Sequence, residues 1–406
     1  MENLLDIQSP IIFDDSVAHW EVHSHLPFGS STYNNSDEIH IVIQQQDQCL
    51  LPSRSSLRIV GKITNSNGEK MKEGTSLVNM AISHLFSEIR YLLNAIEIDK
   101  SKNVGSTILM KAYPSLNPNQ LRFLEISGWN STDCIDDKGN FEVILPLSLI
   151  LGFAEDYQKI IVNAKHELVL TRSNTDRNAI IQTPEAVTAK NTFKFTLSKI
   201  EWLMPIIILS TEKKASLLKF LENDPALTLS FRSWELYEYP QIPQTSKHIW
   251  TIKTSSQLEK PRYVILAFQT ARNNELTANA SEFDHCNIRN VKLFLNSQYY
   301  PYGDMNLDMN NNQFALLYEM FANFQASYYG RNIEPIVNLT NFKNQAPLIV
   351  FDCSRQNEML KSAPVDVRLE LESREDFPKK TSALCLIIHD RIIEYKPISG
   401  DVKKMS

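Results

Sequence analysis

Glycine is scarce in this chain, 11 residues in 406, and so few glycines exclude Gly-rich phosphate loops and collagen-like or low-complexity tracts. No P-loop, GxGxxG, HExxH or GxSxG occurs, so nucleotide binding, zinc proteolysis and hydrolase chemistry lack their usual sequence marks. Long apolar runs are missing too: none approaches the roughly 18 residues that span a bilayer, so no membrane insertion is expected. No Lys or Arg precedes Arg54, whereas eight acids do: Glu2, Asp6, Asp14, Asp15, Glu21, Asp37, Glu38 and Asp47. An N-terminus of that charge is neither a basic nucleic-acid arm nor a secretory or transit leader, and the chain is expected in the cytosol or nucleus. Cysteine pairs are absent as well. The five cysteines (Cys49, Cys134, Cys286, Cys353, Cys385) show no CxxC spacing, and an odd number without a leader argues for reduced, mostly buried thiols. Four N-x-S/T sequons (Asn34, Asn130, Asn279, Asn338) are read as chance products of a chain with 33 asparagines, which also supply its turns.

What remains is a globular composition, 43% hydrophobic and 22% charged with a net charge of −6. The length suits two domains of some 200 residues. Most apolar segments alternate with period two, the mark of strands with one wet face. Val365, Val367, Leu369 and Leu371 alternate with Asp366, Arg368, Glu370 and Glu372. Ile39 to Ile43, Leu57 to Ile63, Phe141 to Leu145, Lys165 to Thr171, Tyr263 to Phe268 and Lys292 to Leu295 read the same way. The alternation slips phase at Phe193, Phe195, Leu197 before Ile200, Trp202, and at Leu227, Leu229, Phe231 before Trp234, Leu236. Each slip predicts a bulge. Two helices are expected, one from a Ser210/Thr211 cap through Leu217, Leu218 and Leu221 to Asn223, the other through Phe314, Tyr318, Phe321 and Tyr328 to Gly330. The fold class is all-β: two tandem jelly-roll sandwiches with a few short helices in their loops.

A faint repeat supports the tandem. Pro146-Leu147 with Leu168, and Pro347-Leu348 with Leu369, share one spacing, and both halves close on similar strands, Ile200-Glu201-Trp202 and Ile393-Glu394-Tyr395. The expected division is an acidic N-terminal segment 1–35, a first jelly roll 36–205 and a second 206–406.

Candidate chemistry is thin. His19, His23 and His25 form the one histidine cluster, but no third ligand type joins it, and a polar N-terminal segment is the plainer reading. Asp352-Cys353-Ser354 with His389-Asp390 could supply a nucleophile and base; a turn, a small core thiol and a hairpin at His389-Asp390-Arg391 account for them more simply. Paired glycosidase acids about 5 to 9 Å apart cannot be argued from scattered Asp and Glu. No catalytic residue, cofactor or metal site is therefore assigned. Trp202, Trp234 and Trp250 sit in strand-like segments and read as core. The turn Tyr299-Tyr300-Pro301-Tyr302 is the better surface candidate, and Tyr299, Tyr300 and Tyr302 are taken as subunit-interface residues. Only Arg289 and Lys292 lie near it, so nucleic acid is not its expected partner.

The second half carries a resemblance. Phe231-Arg232-Ser233-Trp234-Glu235-Leu236-Tyr237, Lys260-Pro261-Arg262-Tyr263-Val264 with Ala267-Phe268-Gln269-Thr270, Asn296-Ser297 with Tyr300-Pro301, and Asp352-Cys353-Ser354-Arg355-Gln356-Asn357-Glu358 resemble the double jelly-roll major capsid proteins of Polinton (Maverick) and adintovirus-like elements in arthropod genomes. Leu85 to Tyr91, Gly152 to Tyr157, His166 to Ser173 and Glu201 to Pro205 agree, so the likeness runs from about residue 36 to 397. It implies a structural, non-enzymatic protein. Three chains would form a pseudo-hexameric capsomer, a homotrimer, that tiles an icosahedral shell around a DNA genome. A separate minor (penton) capsid protein would complete the shell, and the virion capsid would be its location. With no basic arm, assembly is expected not to depend on DNA contacts by residues 1–35, and a separate basic or membrane component would handle the interior. The competing expectations are a carbohydrate-binding or carbohydrate-active double sandwich and, resting on the three histidines, a metal-dependent jelly-roll enzyme.

Overall fold

The computed structural model describes residues 17–29, 32–44, 48–130, 134–252, 261–296, 298–355 and 365–405. Its first half holds β1 (Val17–His25), β2 (Glu38–Gln44), β3 (Cys49–Leu50), β4 (Ser56–Thr64), β5 (Thr75–Leu77), β6 (Phe86–Leu93), β7 (Ile96–Lys102), β8 (Asn140–Pro146), β9 (Ile161–Val162), β10 (Lys165–Arg172), β11 (Ile180–Gln182) and β12 (Lys194–Leu209). The second half holds β13 (Leu227–Tyr239), β14 (Lys247–Ile252), β15 (Pro261–Thr270), β16 (Ile288–Leu295), β17 (Gln298–Tyr300), β18 (Ile349–Asp352), β19 (Val367–Ser373), β20 (Thr381–Tyr395) and β21 (Val402–Met405).

Both halves have the same topology. One sheet of each runs β1-β12-β4-β8 or β13-β20-β15-β18, and the other runs β2-β10-β6-β7 or β14-β19-β16-β17. Every pairing between these strands is antiparallel. Four shared strands per sheet wound in that order make a jelly roll, with β3 and β9 bringing the first roll's larger sheet to six strands and β21 the second's to five, so the chain is two jelly rolls in tandem. The sheets of each roll pack face to face. Tyr91 of β6 meets Trp202 of β12 edge-on at 5.8 Å, and Trp250 of β14 meets Tyr239 of β13 at the same separation. Among the described residues, no helix is long and apolar enough to cross a membrane.

Period-two segments became strands because one face of each meets its partner sheet: Ile39, Ile41 and Ile43 are buried in β2, and Val367, Leu369 and Leu371 in β19. Leu168 and Leu369 lie in the corresponding strands β10 and β19. The other repeat marks fall less evenly, since Pro146 ends β8 whereas Pro347 precedes β18. The phase slip before Ile200 is a register shift between Leu197 and Lys199 against β4.

The second slip is not a bulge. Along β13 the register against β20 is unbroken from Leu227 to Tyr239. The hydrophobic phase changes because Ser233 and Trp234 are both buried, one on each face of the strand, where it meets the first jelly roll. His389-Asp390-Arg391 is likewise no hairpin. These residues lie inside the 15-residue strand β20, and Arg391 Nη1 donates to Ile98 O of the first roll at 3.0 Å. Polar residues interrupt that strand because it crosses the junction between the rolls. The expected helices stand at Thr211–Leu221, after Ser210, and at Ala315–Ala322 with Phe324–Tyr329, ending on Gly330 at φ 64°. Of the segment 1–35, residues 17–25 form β1, the first strand of the first roll; residues 1–16 lie outside the described residues. β12 continues past Pro205 to Leu209, and the helix Thr211–Leu221 leads to the second roll.

Candidate functional site

The most elaborate arrangement of polar side chains lies at the seam between the rolls. β13 is an edge strand: one side pairs with β20, and the short helix Gly152–Asp156 of the first roll covers the other. Such a cover blunts an edge that would otherwise invite further pairing. Arg232 N donates to Asp156 Oδ2 at 2.8 Å, and the Arg232 guanidinium grips the same carboxylate with Nε at 2.8 Å and Nη2 at 2.7 Å. A bidentate fork of this kind fixes orientation as well as distance. Gly152 sits so close that a Cβ there would stand 1.7 Å from the Arg232 carbonyl oxygen.

Asp99 of β7 is buried and accepts from Ser233 Oγ of β13, from Phe153 N at 2.9 Å and from Lys100 N at 3.0 Å. Burial pushes its carboxyl above the usual range, against the pull of Arg391 and these donors. Phe153 packs edge-on against Phe231 at 5.3 Å, which gives the polar contacts an apolar neighbour.

The helix Val104–Ser115 lies between the rolls with all but one of its residues buried, and it carries Lys111. The Lys111 side chain is 4% exposed. Its ammonium donates to both Glu155 oxygens at 3.2 Å, to Ser115 Oγ at 3.2 Å and to the Tyr329 hydroxyl at 2.8 Å, and it lies 4.3 Å from the Tyr328 ring centre and 4.9 Å from that of Trp234. Burial lowers its pKa, and Glu155 opposes that shift. The hydroxyls of Tyr328 and Tyr329 also donate to Glu155, at 2.9 and 2.6 Å. The charged groups and hydroxyls of this cluster thus occupy one another and are drawn from both rolls. Such a cluster specifies how the rolls meet more than it binds a ligand.

The residues weighed above as candidate chemistry lie elsewhere. His19 and His23 both point at Glu21, with Nε2 to carboxylate distances of 3.0 and 2.9 Å. His25 ends the strand. Among the described residues, no three His, Cys, Asp or Glu side chains are grouped to hold a metal ion. Ser354 N donates to Asp352 Oδ1 at 2.9 Å, the turn expected there. Burial pushes the Cys353 thiol far up, the opposite of an activated thiolate, and Arg262 stands between Ser354 O, at 2.9 Å, and Asp390 Oδ2, at 2.7 Å.

On the outer flanks the picture changes. Tyr302 is 87% and Tyr299 39% exposed, and their rings stack at 5.8 Å with 13° between planes. Tyr300 turns inward against the core and donates to Gln298 Oε1 at 3.2 Å. On the opposite flank β1 exposes Trp20 at 58% and Val22 at 59%. No apolar alternation marks β1 among residues 17–25, because a strand wet on both faces has no apolar period. A polar row holds it: Glu201 of β12 accepts from Ser24 Oγ at 2.6 Å, from Lys199 Nζ at 2.7 Å and from Arg58 Nη1 at 2.8 Å, and Arg58 Nε donates to Glu142 of β8 at 2.7 Å. Burial alone would raise the Glu201 carboxyl, and hydrogen bonds from Lys199, Ser24 and Arg58 together bring it down to about 2. The sign follows. A carboxyl depressed from 4.5 to about 2 contributes stability that is present above pH 4.5 and lost as pH falls towards 2. Glu201→Gln is expected to speed amide exchange in β1 about ten-fold at pH 7, which hydrogen exchange read by mass spectrometry checks.

Comparison with known proteins agrees with this architecture. The family model described as a double jelly roll-like domain matches residues 75–393, and the chain belongs to that family. Among solved structures it is similar to the major capsid protein of mavirus, with TM-score 0.55 and 11% identity over 98% of this chain and 92% of that one. The virophage Sputnik structure at 3.5 Å gives TM-score 0.63 and 9% identity over 99% and 91%. VP54 of PBCV-1, fitted into a Sputnik reconstruction, gives 0.59 and 10% over 98% and 99%. At these identities the likeness is one of fold. No curated protein sequence matches the chain.

Proposed function

We propose that this protein is a structural major capsid protein, not an enzyme. Three copies would form a pseudo-hexameric capsomer, and capsomers would tile an icosahedral shell around a DNA genome in the virion. The observation that carries the reading is the tandem of jelly rolls locked by an internal seam whose polar groups are spent on one another, with aromatic side chains left on both outer flanks. Two similar wedges in one chain supply six positions from three copies, and a closed ring of them needs one heterologous contact repeated. The fold shared with mavirus, Sputnik and PBCV-1 capsid structures supports the same reading. The resemblance to Polinton and adintovirus-like capsid proteins supports a kinship with genome-integrated relatives of such viruses, in which a separate penton protein would stand at the fivefold corners.

Size-exclusion chromatography with light scattering and negative-stain imaging tests this. Trimers or shells from the purified protein are expected, with or without DNA. A monomer at every concentration, with a melting temperature that rises on adding sugars, would instead support a carbohydrate-binding double sandwich. For the N-terminal expectation the informative deletion removes residues 1–16 only, since a longer one takes away β1. Assembly of that variant without DNA is expected, and dependence on DNA that the deletion abolishes would refute it.

A further inference from the structure

We infer that the contact between copies sets the edge strand β17 of one chain beside the edge strand β1 of the next, with Tyr299 and Tyr302 seated on Trp20 and Val22. The inference rests on the self-assembly reading above and adds to it the surfaces that meet.

The argument comes from the internal repeat. By topology β1 corresponds to β13 and β7 to β17. Within the chain, β7 of the first roll lies beside β13 of the second: Ser233 donates to Asp99, and Arg391 of β20 reaches Ile98 O. The motion that carries the first roll onto the second carries β7 onto β17, and carries β13 to the place beside β17 where another chain would present β1. These are the two counterpart edges that the internal seam does not use.

Their chemistry fits that pairing. Seven of the nine residues of β1 are exposed. Trp20 is paired with Ile207 and Val22 with Pro205, so these four make an apolar patch on one face of this edge, with His19 and Glu21 exposed on the other. β17 and the turn after it offer the stacked pair Tyr299 and Tyr302, backed by Phe294 at 5.7 Å and Lys292 Nζ at 5.8 Å from the Tyr299 ring. An internal seam is held together by the covalent chain and can be built from polar pairs that fix geometry. A contact between separate chains must offset lost translational freedom by its own burial, which large aromatic side chains do best. That difference is what the seam and the flanks show.

The test uses single-cysteine additions in the full chain. Trp20→Cys and Tyr302→Cys proteins, mixed, assembled and oxidised, are expected to give a cross-linked dimer joining the two positions, mapped by mass spectrometry, that neither variant gives alone. Trp20→Glu and Tyr302→Glu are each expected to raise the concentration for half-assembly at least ten-fold while melting within 2 °C of wild type. If wild type assembles but the mixed variants do not cross-link and the glutamate variants assemble normally, this pairing is wrong and the capsid reading stands. If wild type stays monomeric at every concentration, both fall. Should Trp20→Glu fail to fold, the cysteine pair alone decides.

Discussion

Gly152→Ala lowers the melting temperature by about 6 °C or more and frees the two rolls to move apart: this is the largest effect expected of any single methyl group in the molecule. The added Cβ would stand 1.7 Å from the Arg232 carbonyl oxygen and 2.8 Å from its carbon, where real contacts do not fall below 3.0 Å. The obstacle is backbone on both sides, so no rotamer relieves it. Moving β13 back by more than an ångström would break the Arg232–Asp156 fork and the Ser233–Asp99 hydrogen bond together. It would leave a buried carboxylate with fewer partners, a penalty that adds to ordinary overpacking of about 1 to 3 kcal/mol. For domains of 150 to 250 residues, about 3 kcal/mol corresponds to roughly 6 to 12 °C. Gly303→Ala is the control, because nothing lies within 4 Å of its Cβ position. Calorimetry, with limited proteolysis of the connecting segment around Thr211–Leu221, reads the result. If both alanine variants melt with wild type, the seam is looser than these distances say.

The same seam explains where sequence reasoning succeeded and where it stopped. Strands with one wet face announced themselves by period two, and β2, β4, β8, β10, β16 and β19 stand where that pattern placed them. β15 is a strand as expected but has no wet face: Tyr263 to Gln269 are buried on both sides, because it lies in mid-sheet under helices as well as against the partner sheet. Segments that lie against the other roll lost the pattern. The helix Val104–Ser115 is buried nearly all round and contains Gly105 and Pro114, so neither amphipathic spacing nor propensity marks it. β13 changes phase without a bulge, and β20 carries a polar triplet in mid-strand, because each meets a second partner there. Lys111, Glu155, Asp156 and Arg232 were invisible for the same reason: ion pairs across 44 and 76 residues of sequence have no local signal, although a lysine inside the apolar stretch Ile108 to Ala112 was a hint. The exposure of Tyr299 and Tyr302 was legible because aromatics clustered in a turn have no sheet face to fill. That of Trp20 was not, since a lone Trp among histidines reads as irregular polar chain.

Acid is expected to unfold this protein well before its carboxylates are protonated. His84 packs on the Cα of Gly105, where a Cβ would lie 2.3 Å from its Nδ1, and burial pushes its pKa down to about 4. His166, between the sheets of the first roll, receives the Tyr91 hydroxyl on Nδ1, and burial pushes it down to about 3. Burial also lowers His25, His248, His285 and His389. His40 runs the other way, raised first by its hydrogen bond to Glu167 and then by Glu38. A histidine held neutral in the fold titrates at its ordinary 6.5 once unfolded, so between 6.5 and its folded value the unfolded chain binds more protons. The stability these rings allow is complete above pH 6.5 and falls with pH through about 4 for His84 and about 3 for His166, while protonated His40 returns only part of it. Each such ring costs about a factor of ten in the folding equilibrium per pH unit inside its window. Denaturant unfolding at pH 7, 6, 5 and 4 is expected to show a steep decline below 6.5 corresponding to the uptake of two or more protons. His84→Gln should remove about one proton from that slope whatever it does to stability at pH 7. A flat profile between pH 7 and 5, or an unchanged slope in the His84→Gln, His166→Gln double variant, would mean that these rings are charged in the fold and that the first roll opens to water where the packing says it does not.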